Sequence, residues 1–180
     1  MMLSINSFKP GSLRVVYDGD RNLWLHRPLD GVPVLAAEGA IVPLDAAREP
    51  RNGGHNPGVI EIIIVVGAVG RGTFQLLEDD GTGVVLDDVQ FSRTPISFAQ
   101  GDGIIRIGPT SPVIPLAPIT REWILMFPAL PKPKEVRVLI DAAEHAAVAT
   151  DTDFYGTISI PLGAEIIVSG NIFSIGSSPS

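Results

Sequence analysis

The chain has 180 residues, with 13 Lys and Arg against 20 Asp and Glu, a formal net charge of -7. The basic residues are scattered rather than clustered, which argues against a nucleic-acid partner, and the absence of cysteine excludes disulfides and thiolate metal sites. The longest apolar run, Ile62 to Val69, is broken by Gly67 and falls far short of the ~18 apolar residues of a membrane-crossing helix.

Nineteen glycines and 16 prolines punctuate short runs rich in Val, Ile and Thr. In chain order the expected strands are 13–17, 22–27, 33–36, 40–42, 59–66, 73–78, 95–98, 103–107, 122–127, 135–140, 157–160, 165–168 and 172–175. Many short strands separated by turn residues indicate an all-β, antiparallel β-sandwich architecture. Residues 141–150, with Ala142, Ala143, Ala146 and Ala147, have the only helical composition and are expected to form a turn or a short helix. Residues 1–9 lack the apolar core of a secretory signal, and the compartment stays open.

The loop D-A-A-R-E-P-R-N-G-G-H-N-P-G over 45–58 has the Gly, Pro and Asn content of a connection between units. The expected organisation is an incomplete sandwich over 1–46, a linker over 47–58, a second sandwich over 59–176 and a tail over 177–180. Only 18% of residues are charged and 45% are hydrophobic, a composition suited to a unit that packs against something larger. Leu13, Val15, Leu23, Leu25, Val34 and Ile41 are expected to lack partners within the chain. They would leave an apolar face, to be covered by a neighbouring domain or by self-association.

Two motifs stand out. The first is P-V-L-A-A-E-G-A-I-V-P-L over 33–44. Pro33 suits the first residue of a strand, Gly39 a turn or bulge with positive φ, and Pro43 the end of pairing. The second is L-L-E-D-D-G over 76–81. Asp80 and Gly81, lying between 73–77 and 84–86, signal a hairpin. Glu78, Asp79 and Asp80 form a carboxylate cluster, but adjacent turn residues diverge, and Asp bonds nearby backbone amides in turns.

In this order and spacing the motifs resemble the C-terminal β-sandwich region of family 31 glycoside hydrolases, the α-glucosidase and α-xylosidase group. There a P-[VI]-F-V-R-A-G-[AS]-I-[IV]-P-L stretch precedes L-Y-E-D-D-G. Ala37 and Glu38 stand where that family has Arg-Ala, and Leu77 stands where it has Tyr. The resemblance covers residues 12–108 well and the rest loosely. It implies that 1–46 is the remnant of a proximal C-terminal sandwich and 59–176 the distal one. It also implies a parent that is a retaining α-glycosidase, with its catalytic carboxylates on a (β/α)₈ barrel as the partner of this region. Such a barrel takes about 250 residues, and nothing here resembles its W-x-D-M-N-E nucleophile strand. The resemblance therefore implies a chain that is not itself an enzyme, with no catalytic residue and no cofactor.

Other chemistries find little support. His26, His55 and His145 lie far apart with no H-x-x-x-H spacing, so no zinc site is expected. No G-x-S-x-G elbow occurs. With Gly81 at position 6 of a helix-loop-helix calcium loop, Leu76 falls at position 1 and cannot ligate. A non-helical calcium loop of Asp79, Asp80, Asp87 and Asp88 stays open. The alternative function is a free-standing carbohydrate-binding or adhesive sandwich. Trp24 and His26 alternate outward from Leu23 and Leu25, and Phe154 and Tyr155 lie in a loop. Trp24, His26 and Tyr155 are accordingly the candidates for sugar contact, whereas Trp123 alternates with Leu125 and Phe127 and belongs to a core.

Overall fold

Two patterns of apolar residues organise the chain. V-I-E-I-I-I over 59–64 is apolar at nearly every position, as in a strand covered on both faces. F-S-R-T-P-I-S-F-A over 91–99 alternates, as in a strand with one face in water. The computed structural model describes residues 2–5, 14–17, 22, 24, 34–46, 56–68, 70–79, 81, 90–114, 117–118, 120–128, 136–145, 157–161 and 165–170. Both segments are strands in it. Among the described residues the elements are β1 (Met2–Ile5), β2 (Arg14–Tyr17), β3 (Val34–Ala37), β4 (Ile41–Asp45), β5 (Val59–Ile64), β6 (Arg71–Asp79) and β7 (Phe91–Ala99). They continue with β8 (Ile104–Ile107), β9 (Thr120–Met126), β10 (Val136–Ile140), β11 (Ala143–His145), β12 (Thr157–Pro161) and β13 (Ile166–Gly170).

The strands form a three-stranded sheet β2-β1-β3, a four-stranded sheet β12-β9-β5-β4 and a six-stranded sheet β11-β10-β13-β8-β7-β6. Pairing is antiparallel except between β5 and β9, which run parallel. The four- and six-stranded sheets close on one core. Ile60, Ile62, Ile64, Trp123, Leu125 and Phe127 from one sheet meet Ile96, Phe98, Ile105, Ile107, Val138, Ile166 and Val168 from the other. Each such side chain contributes about 1.5–3 kcal/mol by leaving water. The opposite face of the four-stranded sheet is also covered, because Ile63, Val65 and Met126 pack with Ala36 of β3. That double covering is why β5 reads as continuously apolar. The chain is an all-β sandwich, as its composition implied.

Several expectations change. Of the turn or short helix expected over 141–150, the structure has the turn: residues 141–145 are not helical, and 146–150 lie outside the described residues. Asp141 and Ala142 have φ of 46° and 64°, the two-residue type I′ geometry that joins β10 to β11. The turn is held from the side, since Asp141 Oδ1 accepts the Glu165 N–H at 2.9 Å and the Asp141 N–H donates to the Glu165 carbonyl at 3.0 Å. The strand after L-L-E-D-D-G that pairs with β6 is β7, with Asp79 opposite Phe91; residues 84–86 lie outside the described residues. Pro43 does not end pairing: the β4–β5 ladder runs on through Leu44 and Asp45. It is tolerated because β4 is an edge strand, where a missing N–H breaks no ladder. Ile41 does not wait for an outside partner either, being 5% exposed in the main core. The four-stranded sheet therefore draws its edge strand from before the 47–58 segment. Finally, β1 and β11 were not expected as strands.

Candidate functional site

The two motifs are built into opposite ends of β6. At its start, the chain turns between β3 and β4. Gly39 takes φ of 84°, donates its N–H to the Val65 carbonyl at 2.8 Å, and the Val65 N–H returns to the Ala40 carbonyl at 3.0 Å. The Gly39 carbonyl lies so close to Gly72 of β6 that a Cβ there would sit 2.2 Å from its oxygen. Glu38, which stands where the resembled family has an alanine, accepts the Ala68 N–H at 2.8 Å. Its carboxylate also presses on Gly67, where a Cβ would meet it at 2.2 Å. Glycines 39, 67 and 72 are thus required by one tight junction between the sheets.

At the far end of β6 the alternation of the strand separates the carboxylates. Glu78 points inward and is 6% exposed, whereas Asp79 faces solvent. Glu78 meets Arg121 of β9 in a two-point contact, Nη1 to Oε2 at 2.8 Å and Nη2 to Oε1 at 2.5 Å. Arg121 is fully buried. Its Nε donates to the Pro57 carbonyl at 3.1 Å, and its guanidinium lies 5.4 Å from the centre of the Trp123 ring. Asn56 donates to the Asp79 carbonyl at 2.9 Å, and the Glu122 N–H donates to the Gly58 carbonyl at 2.9 Å. The last residues of the expected linker are therefore fastened to both sheets. Asp79 Oδ1 accepts the Gly81 N–H at 2.8 Å, and Gly81 has φ of 65°, so the Asp makes the local turn its type favours.

Beside the ion pair the core stays polar. Ser92, opposite Glu78 in the ladder, is buried, and its hydroxyl oxygen has no hydrogen-bond partner among the described residues. Thr94 and Thr110 share a hydroxyl–hydroxyl bond of 2.7 Å. Two glycosidic carboxylates must face one substrate bond, about 5–5.5 Å apart in retaining enzymes. Glu78 and Asp79 cannot converge in that way, since one spends both oxygens on Arg121 and the other leaves the opposite face of the strand. Among the described residues no group of three or more His, Asp and Glu is arranged to hold a metal ion.

Sequence reasoning placed Glu78 in a motif but missed Arg121, its partner in the structure. A lone basic residue in R-E-W-I-L-M, in phase with Trp123 and Leu125, is the signal that could have found it: an arginine on an apolar strand face needs a buried partner. Trp24 is 95% exposed, and Asn22 is exposed as well. His26, Tyr155, Pro33 and Asp80 lie outside the described residues.

No family model matches the sequence, and no curated protein matches it. Solved structures do. The GH31 α-xylosidase of Xanthomonas citri aligns over 92% of this chain and 16% of its own, with TM-score 0.56 and 20% identity. A GH31 dextranase of Flavobacterium johnsoniae, complexed with glucose, aligns over 93% of this chain and 23% of its own, with TM-score 0.62 and 19% identity. The α-1,4-glucan lyase of Gracilariopsis lemaneiformis aligns over 94% and 20%, with TM-score 0.58 and 16% identity. The chain has the fold of part of a GH31 enzyme. It spans 16–23% of these relatives, a match consistent with their C-terminal region.

Proposed function

We propose that this chain is the non-catalytic C-terminal β-sandwich portion of a family 31 α-glycosidase-like protein, and that it supports a (β/α)₈ catalytic barrel lying outside these 180 residues. The observation that carries the reading is the match over nine-tenths of this chain to a minor share of each GH31 enzyme. The ordered motifs at the two ends of β6 support it, and so does the commitment of Glu78 to Arg121 rather than to an open cleft. In this reading 1–46 belongs to a proximal sandwich and 59–176 to a distal one, with Ile41–Asp45 exchanged into the distal sheet. The parent is a retaining α-glycosidase. The three relatives are named for different reactions, which fits a region that shapes no substrate pocket.

Assay of the 180-residue chain on aryl α-glucosides and α-xylosides tests this reading. No turnover is expected, and activity abolished by a substitution within the chain overturns it. An in-frame stretch upstream of Met1 encoding a W-x-D-M-N-E type strand supports the barrel, and a coding sequence with no barrel on either side overturns that part.

A second reading has its own observation. Trp24 exposes nearly its whole indole, the kind of surface on which a sugar's apolar face stacks in a free-standing carbohydrate-binding sandwich. Affinity electrophoresis on starch, xyloglucan and dextran separates the two. Retardation lost in Trp24→Ala favours the binding module, and unretarded migration favours Trp24 as a contact to the barrel.

A further inference from the structure

Four of the 13 basic residues share one surface. The outward-facing positions of the six-stranded sheet carry Arg71, Arg93, Arg106 and Arg137, in a chain whose net charge is -7. Arg137 is paired with Glu144. Arg71, Arg93 and Arg106 form no ion pair or side-chain hydrogen bond among the described residues.

Two of these arginines flank a depression of about 640 Å³, within the ~300–1,000 Å³ of small-ligand sites. The hollow follows from side-chain size. The middle strand β7 offers only Ser97 and Ala99 there, set against Thr73 and Arg71 on one side and Arg106 and Ile104 on the other. Ser97 pairs with both Thr73 and Arg106, and Ala99 with both Arg71 and Ile104. The two guanidinium groups therefore rise from diagonal corners, across three strands and two residues, or roughly 12 Å between Cα atoms from the spacings of a sheet. Arms of that length can close on one ligand between them. Gly70, Gly101 and Asp102 line the same hollow. Among the described residues its only aromatic lining residue is Phe98, which is 4% exposed, so none of them offers a ring for stacking a base or a flat apolar ligand.

We infer that this hollow is a binding site for a small anionic sugar, a sugar acid or a sugar phosphate. Its oxyanion would be held between Arg71 and Arg106, and its hydroxyls would be met by Thr73, Ser97 and Asp102. Paired guanidinium groups recognise carboxylate and phosphate through directed hydrogen bonds as well as charge. The hydroxyl floor and the Asp102 carboxylate select for a polyhydroxylated body over a bare ion. Asp102 disfavours a second negative charge at the turn between β7 and β8, which places the anion toward the arginines. This site stands whether or not the chain is part of a GH31 enzyme.

Calorimetric titration of the full chain at low ionic strength, with glucuronate, glucose 6-phosphate, glucose and inorganic phosphate as probes, tests it. One of the two anionic sugars is expected to bind at least about tenfold tighter than glucose, a difference of about 1.4 kcal/mol, and tighter than inorganic phosphate. Preference for glucuronate assigns a sugar acid, and preference for glucose 6-phosphate a sugar phosphate. Arg71→Gln and Arg106→Gln are expected each to weaken binding about tenfold or more, with the thermal transition unchanged because both side chains are exposed. Arg137→Gln, on the same face but away from the hollow, is expected to leave binding intact. Absence of millimolar binding by either sugar overturns the site. Equal binding of inorganic phosphate overturns the sugar, and an equal loss in Arg137→Gln overturns the hollow in favour of diffuse charge.

Discussion

The two sheets of the main sandwich are made of similar residues but live in different surroundings. The four-stranded sheet is a middle layer: β5 buries Ile60, Ile62 and Ile64 on one side and Ile63 on the other, where Val65 just beyond its end joins it. The six-stranded sheet buries one face and gives the other to water, and β7 alternates accordingly, Ser92, Thr94, Ile96 and Phe98 inside, Phe91, Arg93 and Pro95 outside. A strand covered twice is apolar at nearly every position, and the charges it does carry, such as Glu61 and Arg121, are buried, whereas a strand covered once can keep a packed side and a chemical side. Structure is concentrated in the first sheet and candidate binding chemistry on the second.

The sharpest way to break this arrangement is at the buried Glu78–Arg121 pair. Glu78→Ala or Arg121→Ala leaves the other charge buried alone and should cost about 3–5 kcal/mol in urea unfolding. The double variant Glu78→Leu with Arg121→Met should recover most of that loss, since well-packed apolar replacements of a buried pair are often neutral. Equal instability of the double variant would mean that the Arg121 bond to the Pro57 carbonyl, and not the pair, carries the connection.

Next in size, Ile62→Ala and Ile63→Ala compare the two faces of β5 directly. Both side chains are fully buried, and each should cost about 2–5 kcal/mol. A much smaller loss for Ile63→Ala would show that the layer formed by β1 to β3 covers the outer face only loosely. Leu77→Ala, on the wet face of β6 and 56% exposed, should stay within about 0.5 kcal/mol of the parent.

Gly72→Ala probes the junction between the sheets, where the added Cβ meets the Gly39 carbonyl and one backbone must move. A loss of about 1–3 kcal/mol in chemical unfolding is expected, as for other overpacked sites. The smallest effect is electrostatic. The hydrogen bond and charge of Arg137 hold the fully exposed Glu144 carboxyl below the ordinary glutamate range. A carboxyl lowered in the folded state contributes stability above its unfolded pKa and loses it as pH falls through the folded value. The thermal transition should therefore show a slight acid-side dependence below the usual carboxylate range that Glu144→Gln removes, with no difference between the two proteins attributable to this pair in strong acid.

The sequence by itself determined the class of fold and most of the strands, because alternation, continuous apolar runs and Gly or Pro punctuation are local consequences of strand geometry. It also placed Gly39, Glu78 and Gly81 in two motifs whose order carries a resemblance. It could not choose between a turn and a short helix at 141–150, because alanine-rich composition favours helix, whereas the Asp141 side chain and Glu165 backbone hold a tight turn that leads into β11. Nor could it show that β4 crosses the apparent linker to pair with β5, as a run of turn residues reads alike whether or not the chain returns to the same sheet. Arg121 and Glu78 lie 43 residues apart, and Arg71 and Arg106 meet only across three strands. Contacts of that span depend on sheet register, and register is decided when the faces pack, not by any stretch of sequence alone.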